Sequence, residues 1–327
     1  MTAQDNFDLS DRNTLGLSSL ARHGGLVTSH EDVERLDALA AAQDLPLRII
    51  GGGSNVVLKP QLDAVVAVMA MKGRAISRTQ DGTVLVCAQA GEDWPQLVQW
   101  TVDQGLGGLE SLAGIPGTVG AAPVQNIGAY GLELADRFHS LTAYDLEDKR
   151  IRSFSRDACG FGYRQSLFKA APRYVILDVT LALPQPWRPI LTYRGLDTLS
   201  ADLTPAEISA QVLRLRGEKL PDWRQLANAG SFFHNPVVDA EKAAAITGAP
   251  RFPQADGRVK LSAGWLIEAC GLKGHRVGAA GIYDHHALIV VNHGGASFAD
   301  VSALATTVRS AVQERFGIGL IQEPITL

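Results

Sequence analysis

The chain is short of several things, and each shortage excludes something. Its 327 residues contain three cysteines, Cys87, Cys159 and Cys270, odd in number and far apart. That spacing draws neither a disulfide framework nor a thiolate metal motif, and it fits free thiols in a reducing compartment. Nowhere does an apolar run reach the roughly 18 residues of a membrane helix. Met1 to Ser10 is polar and acidic, without the apolar stretch of a signal peptide or the basic face of a transit peptide. An excess of basic charge is missing too: 30 Lys and Arg stand against 34 Asp and Glu, for a net charge of -4. Non-specific nucleic-acid binding needs a basic surface and is disfavoured, although a local basic pocket for an anionic substrate is compatible with that balance. No internal repeat or low-complexity tract is present. The expected address is the cytoplasm, with neither membrane nor nucleic acid as partner.

What is there is globular: 46% hydrophobic and 20% charged residues. The length exceeds one ordinary small core, so two or three subdomains are expected. Residues 1–70 read as a small βαβ unit. Ser29 starts a helix whose apolar stripe is Val33, Leu36, Leu39 and Ala40, and Leu47 to Ile50 is a short buried strand. Residues 71–218 hold a helix at Asp93 to Gln104 and strands at Thr83–Ala88, Ser140–Tyr144, Arg150–Ser155 and Tyr174–Leu183, whose alternation predicts an antiparallel sheet. Thr204-Pro205-Ala206-Glu207 is a capping box with proline at the first helical position. Residues 219–318 hold a helix from Ser262 to Cys270 closed by Gly271, a buried strand at Ala287–Val291, and an amphipathic helix from Ser297 to Phe316 closed by Gly317. A final strand at 319–327 is expected to return to the middle region.

Several stretches are candidates for chemistry. Gly51-Gly52-Gly53-Ser54-Asn55 follows a strand and suits either a phosphate held by backbone N–H groups and a hydroxyl, or a tight turn. Gly114-Ile115-Pro116-Gly117-Thr118-Val119-Gly120-Ala121-Ala122, with Asn126 beyond it, is not G-x-G-x-x-G and has no Rossmann context. Its length and small residues favour close packing of backbone on a flat or phosphorylated ligand. Arg164, in Phe161-Gly162-Tyr163-Arg164, suits a carboxylate, but locally it reads first as a structural arginine. Ser231, in Asn228-Ala229-Gly230-Ser231-Phe232-Phe233-His234-Asn235-Pro236, has no G-x-S-x-G elbow around it and locally reads first as a turn serine. His285, His286 and His293 match no zinc spacing and read as flanks of a strand, with the adjacent pair on opposite faces. Glu323 lies in the apolar run Leu320 to Leu327, which leaves it either edge-exposed or functional.

The order of these motifs is more specific than any one of them. Asn13-Thr14, Gly51–Asn55, Gly114–Ala122, Tyr163-Arg164, Asn228–Pro236 and Glu323, in that sequence, resemble the UDP-N-acetylenolpyruvoylglucosamine reductase family from about residue 13 to the end. The segments Ala113–Ala122 with Gln125–Gly131, and Asn228–Pro236, carry most of the specificity. Tyr193, the helix after it, and Phe252-Pro253-Gln254-Ala255-Asp256-Gly257 resemble the type with an extra loop over the substrate. The resemblance implies an α+β protein with a vanillyl-alcohol-oxidase/PCMH-type FAD-binding fold. It would have two FAD-binding subdomains, 1–70 and 71–218 with the strand 319–327, and a C-terminal α+β substrate-binding domain at 219–318.

It also implies a reaction. NADPH reduces FAD and leaves; the enolpyruvyl sugar nucleotide, UDP-N-acetylglucosamine enolpyruvate, then accepts hydride at C3 from flavin N5 and a proton at C2, giving UDP-N-acetylmuramate for peptidoglycan synthesis. Ser231 matches the proton donor, with Arg164 and Glu323 polarising the substrate carboxylate. Gly51, Gly52, Gly53, Ser54, Asn55, Gly114, Ile115, Pro116, Gly117, Thr118, Gly120, Ala121 and Asn126 fall at FAD-binding positions. Tyr193, Lys219, Asn235, Phe252, Lys273 and His286 fall at sugar-nucleotide positions. No metal and no protein partner are implied, and the chain is expected to be a monomer. Phe252 stands where a tyrosine is usual, and His285 and His286 stand where relatives have glutamines. The arginine that follows the C-terminal Glu in some relatives is absent, with Ile325 near its place. The alternative is a related FAD-dependent alcohol or sugar oxidase, but such enzymes often tether flavin through a histidine near the first glycine loop, and Gly51–Asn55 has none. A non-catalytic nucleotide-binding module is a third reading, and it predicts that Ser231→Ala leaves the biological activity intact.

Overall fold

The computed structural model describes residues 3–327. The chain divides into two compact units: one comprises the stretch ending at Phe7, Ala21–Gly52 and Asp63–Glu218, the other Asp8–Leu20, Gly53–Leu62 and Lys219–Leu327.

The first unit is built on two sheets. The smaller has four strands in the order Gln4–Asp8, Leu20–Val27, Gln61–Met69 and Leu47–Ile50. The last two are parallel, with Leu47 opposite Val65 and Ile50 opposite Val68. The expected strand–helix–strand passage is present as Leu20–Val27, helix His30–Ala42 and Leu47–Ile50, with Gln61–Met69 lying between the two strands. Ser29 begins the helix, and Asp32 reaches back to the Ser29 N–H (3.1 Å) and to the N–H and hydroxyl of Thr28 (2.8 and 2.7 Å). Burial pushes the Asp32 carboxyl up, but these donors and Arg35 outweigh it and hold its pKa at about 2.

The larger sheet is antiparallel throughout, in the order Arg150–Ser155, Phe138–Asp145, Tyr174–Leu183, Val84–Gln89, Arg74–Arg78. The alternation of Tyr174–Leu183 puts Val175, Val179, Leu181 and Leu183 into the core. Two helices cover this core. Trp94–Asp103 is capped by Asp93, whose carboxylate accepts from the Gln96 N–H (2.9 Å), and buried Trp94 donates its indole N–H to the Leu112 carbonyl (3.1 Å). Pro205–Gly217 has the expected Thr204/Glu207 capping box and buries Ile208, Val212 and Leu215.

The second unit carries an antiparallel sheet in the order Asn228–Ser231, Ile289–Asn292, Ala280–Ile282, Arg276–Val277. Its core also takes in helices Ala263–Ala269 and Phe298–Phe316, the latter burying Val301, Leu304, Val308 and Val312 and ending at left-handed Gly317. Val237–Val238, Val259–Leu261 and Arg251–Pro253 form a three-stranded ribbon, and the last of these strands holds Phe252.

Two expectations differ from the structure. The C-terminal strand does not join the sheet of the middle region. Ile325–Thr326 runs parallel to Val56–Val57, and the Ile325 and Leu327 N–H groups donate to the carbonyls of Asn55 (2.9 Å) and Val57 (3.1 Å). The two-residue strand after the glycine loop has free backbone groups on that side, and the tail satisfies them. His285 and His286 are not on a strand: the regular strand begins at Ile289, and the pair occupies the tight connection after Ala280–Ile282. Among the described residues no helix is long and apolar enough to cross a membrane.

Candidate functional site

In the first unit the candidate groups gather where two glycine-bearing segments back onto each other. A Cβ on Gly51 would lie 2.3 Å from the Thr118 hydroxyl oxygen, and one on Gly52 would lie 2.9 Å from the Gly117 Cα. The second contact is against backbone and demands glycine, whereas the first would force the Thr118 hydroxyl to turn away. The Gly114–Ala122 segment is fastened from behind. Gly117 O accepts from the Trp94 N–H (3.0 Å), Val119 N–H donates to Glu92 (2.9 Å), and Gly120 N–H donates to Ala90 (2.9 Å). Thr118 Oγ1 is buried beside Gly51 with no hydrogen-bond partner. Leaving a buried hydroxyl unpaired costs about 1–3 kcal/mol. A phosphate oxygen would satisfy it, and the glycines leave backbone N–H groups open to the same ligand. These residues fit the FAD that the resemblance implies.

Not every glycine of the two motifs answers to a ligand. Gly53 belongs to the second unit and has φ +63°; its Cβ would strike the Arg12 carbonyl at 2.0 Å, and its own carbonyl accepts from the Thr14 N–H (3.1 Å). Gly114 makes room for the helix Pro205–Gly217, since its Cβ would lie 2.8 Å from Leu213 and 3.2 Å from Arg216 Nε. Ser54, Ile115, Pro116 and Ala121 are half-buried, as is Asn55, whose carbonyl receives the tail. The Asn126 amide is committed within the protein. It donates to Glu133 (2.8 Å) and Gly162 O (3.1 Å) and accepts from Ala135 N–H (3.0 Å).

That network carries Arg164. Gly162 and Gln165 exchange backbone hydrogen bonds (3.0 and 3.1 Å), which makes a tight turn with Arg164 in the left-handed region at φ +55°. Its guanidinium donates to the carbonyls of Asn126 (3.4 Å) and Gly128 (3.1 Å) and lies 5.2 Å from the Tyr163 ring. Arg164 is therefore a fixed cation, built into the glycine loop's own frame. Tyr193 is 42% exposed and packs edge-on to Tyr130 at 4.9 Å.

Arg216 was missed in the sequence. It sits in a helix whose pattern reads as an amphipathic surface, between Arg214 and Glu218. The structure turns it inward beside Gly114, and burial pushes its pKa down, partly offset by Tyr130. No described residue forms a hydrogen bond or ion pair with its guanidinium. Its charge is available to a group that brings negative charge to this loop.

In the second unit Ser231 ends the strand Asn228–Ser231. Gly230 is left-handed (φ +70°) with open space around its Cβ position, so glycine serves the backbone there. The pairing register with Ile289–Asn292 shifts between Asn228 and Ser231, a bulge that redirects the serine. Thr14 pins this strand twice, donating its hydroxyl to Asn228 O (2.7 Å) and accepting the Asn228 N–H (2.9 Å). Asn13 in turn holds its own loop, through bonds to Leu9 O (3.1 Å) and to Leu17 N–H and O (both 2.9 Å). The Asn13-Thr14 pair of the motif series is thus the anchor of the serine strand.

The residues after Ser231 receive the C-terminal tail. Glu323 N–H donates to Phe232 O (2.9 Å), His234 N–H donates to Ile321 O (2.9 Å), and Phe233 bridges Gln322. Glu323, which composition left open, has its side chain only 14% exposed and 3.3 Å from His234 Nδ1. Of the expected sugar-nucleotide residues, Asn235 spends its side-chain oxygen on the Ala263 N–H (2.9 Å) at the start of a helix. Lys219 is exposed, Lys273 pairs with Glu268 (3.0 Å), and Phe252 is 48% exposed on the ribbon. His286 accepts the Leu288 N–H at Nδ1 (3.2 Å), which places its proton on Nε2. Burial, then Lys219 and Lys273, push its pKa below the usual histidine value, with Glu268 opposing.

Residues 222–327 match the family described as UDP-N-acetylenolpyruvoylglucosamine reductase, C-terminal domain, and residues 26–155 match a family described as FAD binding domain. The UDP-N-acetylenolpyruvoylglucosamine reductase of Pseudomonas aeruginosa is 48% identical over 98% of each chain. Those of Azoarcus sp. and Burkholderia multivorans are 46% and 44% identical, over 97–98% of this chain and 95–96% of theirs. The crystal structure of the Thermus caldophilus enzyme of the same name superposes with a TM-score of 0.69 at 27% identity, covering 99% of this chain and 98% of that one. The expected α+β class with an FAD-binding domain and a separate C-terminal domain stands on these matches. The chain belongs to the UDP-N-acetylenolpyruvoylglucosamine reductase family.

Proposed function

We propose that the chain reduces UDP-N-acetylglucosamine enolpyruvate to UDP-N-acetylmuramate for peptidoglycan precursor synthesis, as a UDP-N-acetylmuramate dehydrogenase using FAD and NADPH. The observation that carries this reading is the buried, unpartnered Thr118 hydroxyl beside Gly51, next to Gly52, which packs on the Gly117 backbone where no Cβ fits. It is a place prepared for a phosphorylated ligand in a chain of this family. Gly51, Gly52, Gly117 and Thr118 would hold the FAD diphosphate, and Arg216 would face negative charge on the cofactor. When bound, FAD would supply the two-electron chemistry that links NADPH to C3 of the enolpyruvyl group.

The chain's own residues do the rest. An enol ether resists nucleophilic reduction unless charge developing on its carboxylate is stabilised. Arg164, locked by two carbonyls, supplies a cation that needs no reorganisation. Glu323 contacts the same carboxylate and carries or shares a proton there, since two bare carboxylates repel. Ser231 gives its hydroxyl proton to C2. A serine is a weak acid, and its competence comes from a strongly basic carbon and from the rigid, bulged strand that holds it. Tyr193, Lys219, Asn235, Phe252, Lys273 and His286 receive the sugar nucleotide, the lysines meeting its diphosphate. In this reading residues 1–70 and 71–218 serve the cofactor, 219–318 serve the substrate, and the enzyme works as a cytoplasmic monomer.

Stopped-flow flavin absorbance tests the reading. NADPH should bleach the flavin, and the enolpyruvyl sugar nucleotide should restore its colour. Protein that cannot be loaded with FAD overturns the proposal, as does flavin that is reduced by simple alcohols and reoxidised by oxygen.

A further inference from the structure

His234 has no part in the proposed chemistry, yet it is placed with as much care as the residues that do. Phe233 before it is fully buried and bridged to Gln322, and Asn235 after it is tied to the Ala263 N–H. Its own N–H is bound to Ile321 O, so the backbone at 234 has no freedom to drift. The tail opposite is fixed by the Glu323 N–H to Phe232 O bond (2.9 Å). Residues two apart share a face of such a pairing, which sets the imidazole diagonally against the Glu323 side chain. The two approach at 3.3 Å between Nδ1 and Oε2, and their side chains are only 17% and 14% exposed. The Nδ1 atom lies off the line of a hydrogen bond to that oxygen, so the two groups meet as a close polar contact.

We propose that His234 is a positioning residue for the reductase: it holds the Glu323 carboxylate in one rotamer and orients the oxygen that meets the substrate's carboxylate. The inference rests on the role given to Glu323 above. Glutamate has three side-chain torsions and would otherwise sample several of them. Histidine has two, and here its backbone is fixed on both sides.

A double-mutant cycle tests this in the FAD-loaded full-length enzyme, with flavin reoxidation by the enolpyruvyl sugar nucleotide as the readout. H234L should slow reoxidation roughly tenfold in the native background and less than about twofold in an E323Q background, because coupled residues are not additive. H234N places an amide nitrogen near the Nδ1 position and should recover reoxidation to within about threefold of the native rate. Reduction by NADPH should fall far less than reoxidation in H234L. An equal loss from H234L in both backgrounds overturns the proposal, as does H234N behaving like H234L. If H234L does not fold, H234A takes its place in the two backgrounds, and equal effects in both again overturn it. If E323Q alone leaves reoxidation untouched, the role of Glu323 itself has failed, a result distinct from an absence of coupling.

Discussion

The two units make their sites by opposite means. The first takes side chains away. Gly52 presses against Gly117 at a distance where no Cβ fits, and the Thr118 hydroxyl beside Gly51 has no partner in the protein. The second puts side chains in, on backbone that cannot move. Ser231 follows a left-handed glycine on a strand pinned by Thr14, and Glu323 arrives on a tail stitched to Phe232 and His234. A cofactor that stays through every turnover is held well by many backbone groups, each weak and sequence-tolerant. A proton that must reach one carbon needs a single group held still. Substitutions should therefore act differently in the two units.

The largest effect belongs to the second unit. Ser231→Ala should slow flavin reoxidation by substrate roughly 10²–10⁴-fold, the range of a general acid, while FAD content and reduction by NADPH stay near native. Equal losses in both half-reactions would make the serine structural and would erase the contrast between the units.

Next comes Gly52→Ala in the first unit. The new methyl would meet the Gly117 Cα at 2.9 Å, backbone against which it has no flexible escape. Overpacking of this kind costs about 1–3 kcal/mol, which should weaken FAD binding roughly 10–100-fold and slow both half-reactions together at limiting FAD. Full loading at native affinity would mean that the close approach is not what shapes the cradle. Thr118→Val removes the orphan hydroxyl at nearly constant volume. It should weaken FAD about tenfold or less while leaving the Tm of the apoprotein unchanged or higher, because an unsatisfied buried group has gone. A lower apoprotein Tm would show that the hydroxyl serves the fold instead.

The same difference explains how much could be read from the chain. Ser29 and the Thr204–Glu207 box announced their helices and begin them in the structure. The long strands showed alternation. Leu20–Val27 did not, because Arg22-His23-Gly24-Gly25 interrupts it. Gly24 is there for a neighbour far away in sequence, since its Cβ would lie 2.3 Å from the Phe7 ring. The glycine loops were visible as composition, but which glycines open a cradle and which admit Arg12 or Leu213 is a matter of tertiary neighbours. Ser231, Arg164 and Glu323 were legible only as an ordered series, for no local pattern distinguishes a fixed guanidinium from a surface one. Arg216 and His234 could not be found at all, since each becomes informative only through what packs beside it. The histidine pair misled because two histidines before an apolar run read as part of its strand, whereas His286 closes the turn that leads into it.

His286 gives the smallest effect, and it asks whether the rigidity of the second unit extends to its polar groups. Its Nδ1 accepts the Leu288 N–H, and burial together with Lys219 and Lys273 disfavours the protonated ring. A histidine whose folded pKa lies below its unfolded value binds fewer protons when folded, so stability rises with pH through that interval. The contribution is complete above the unfolded value near 6.5 and is lost as pH falls toward the folded one. Protonation would also put a hydrogen on the nitrogen that accepts from Leu288, setting donor against donor. His286→Gln keeps a polar side chain and removes the titration. The Tm advantage of the native protein over this variant should therefore shrink between pH 8 and about pH 5. A difference that stays constant, or widens, as the solution is acidified would mean that the ring is free to charge and that this turn is not held as the serine strand is.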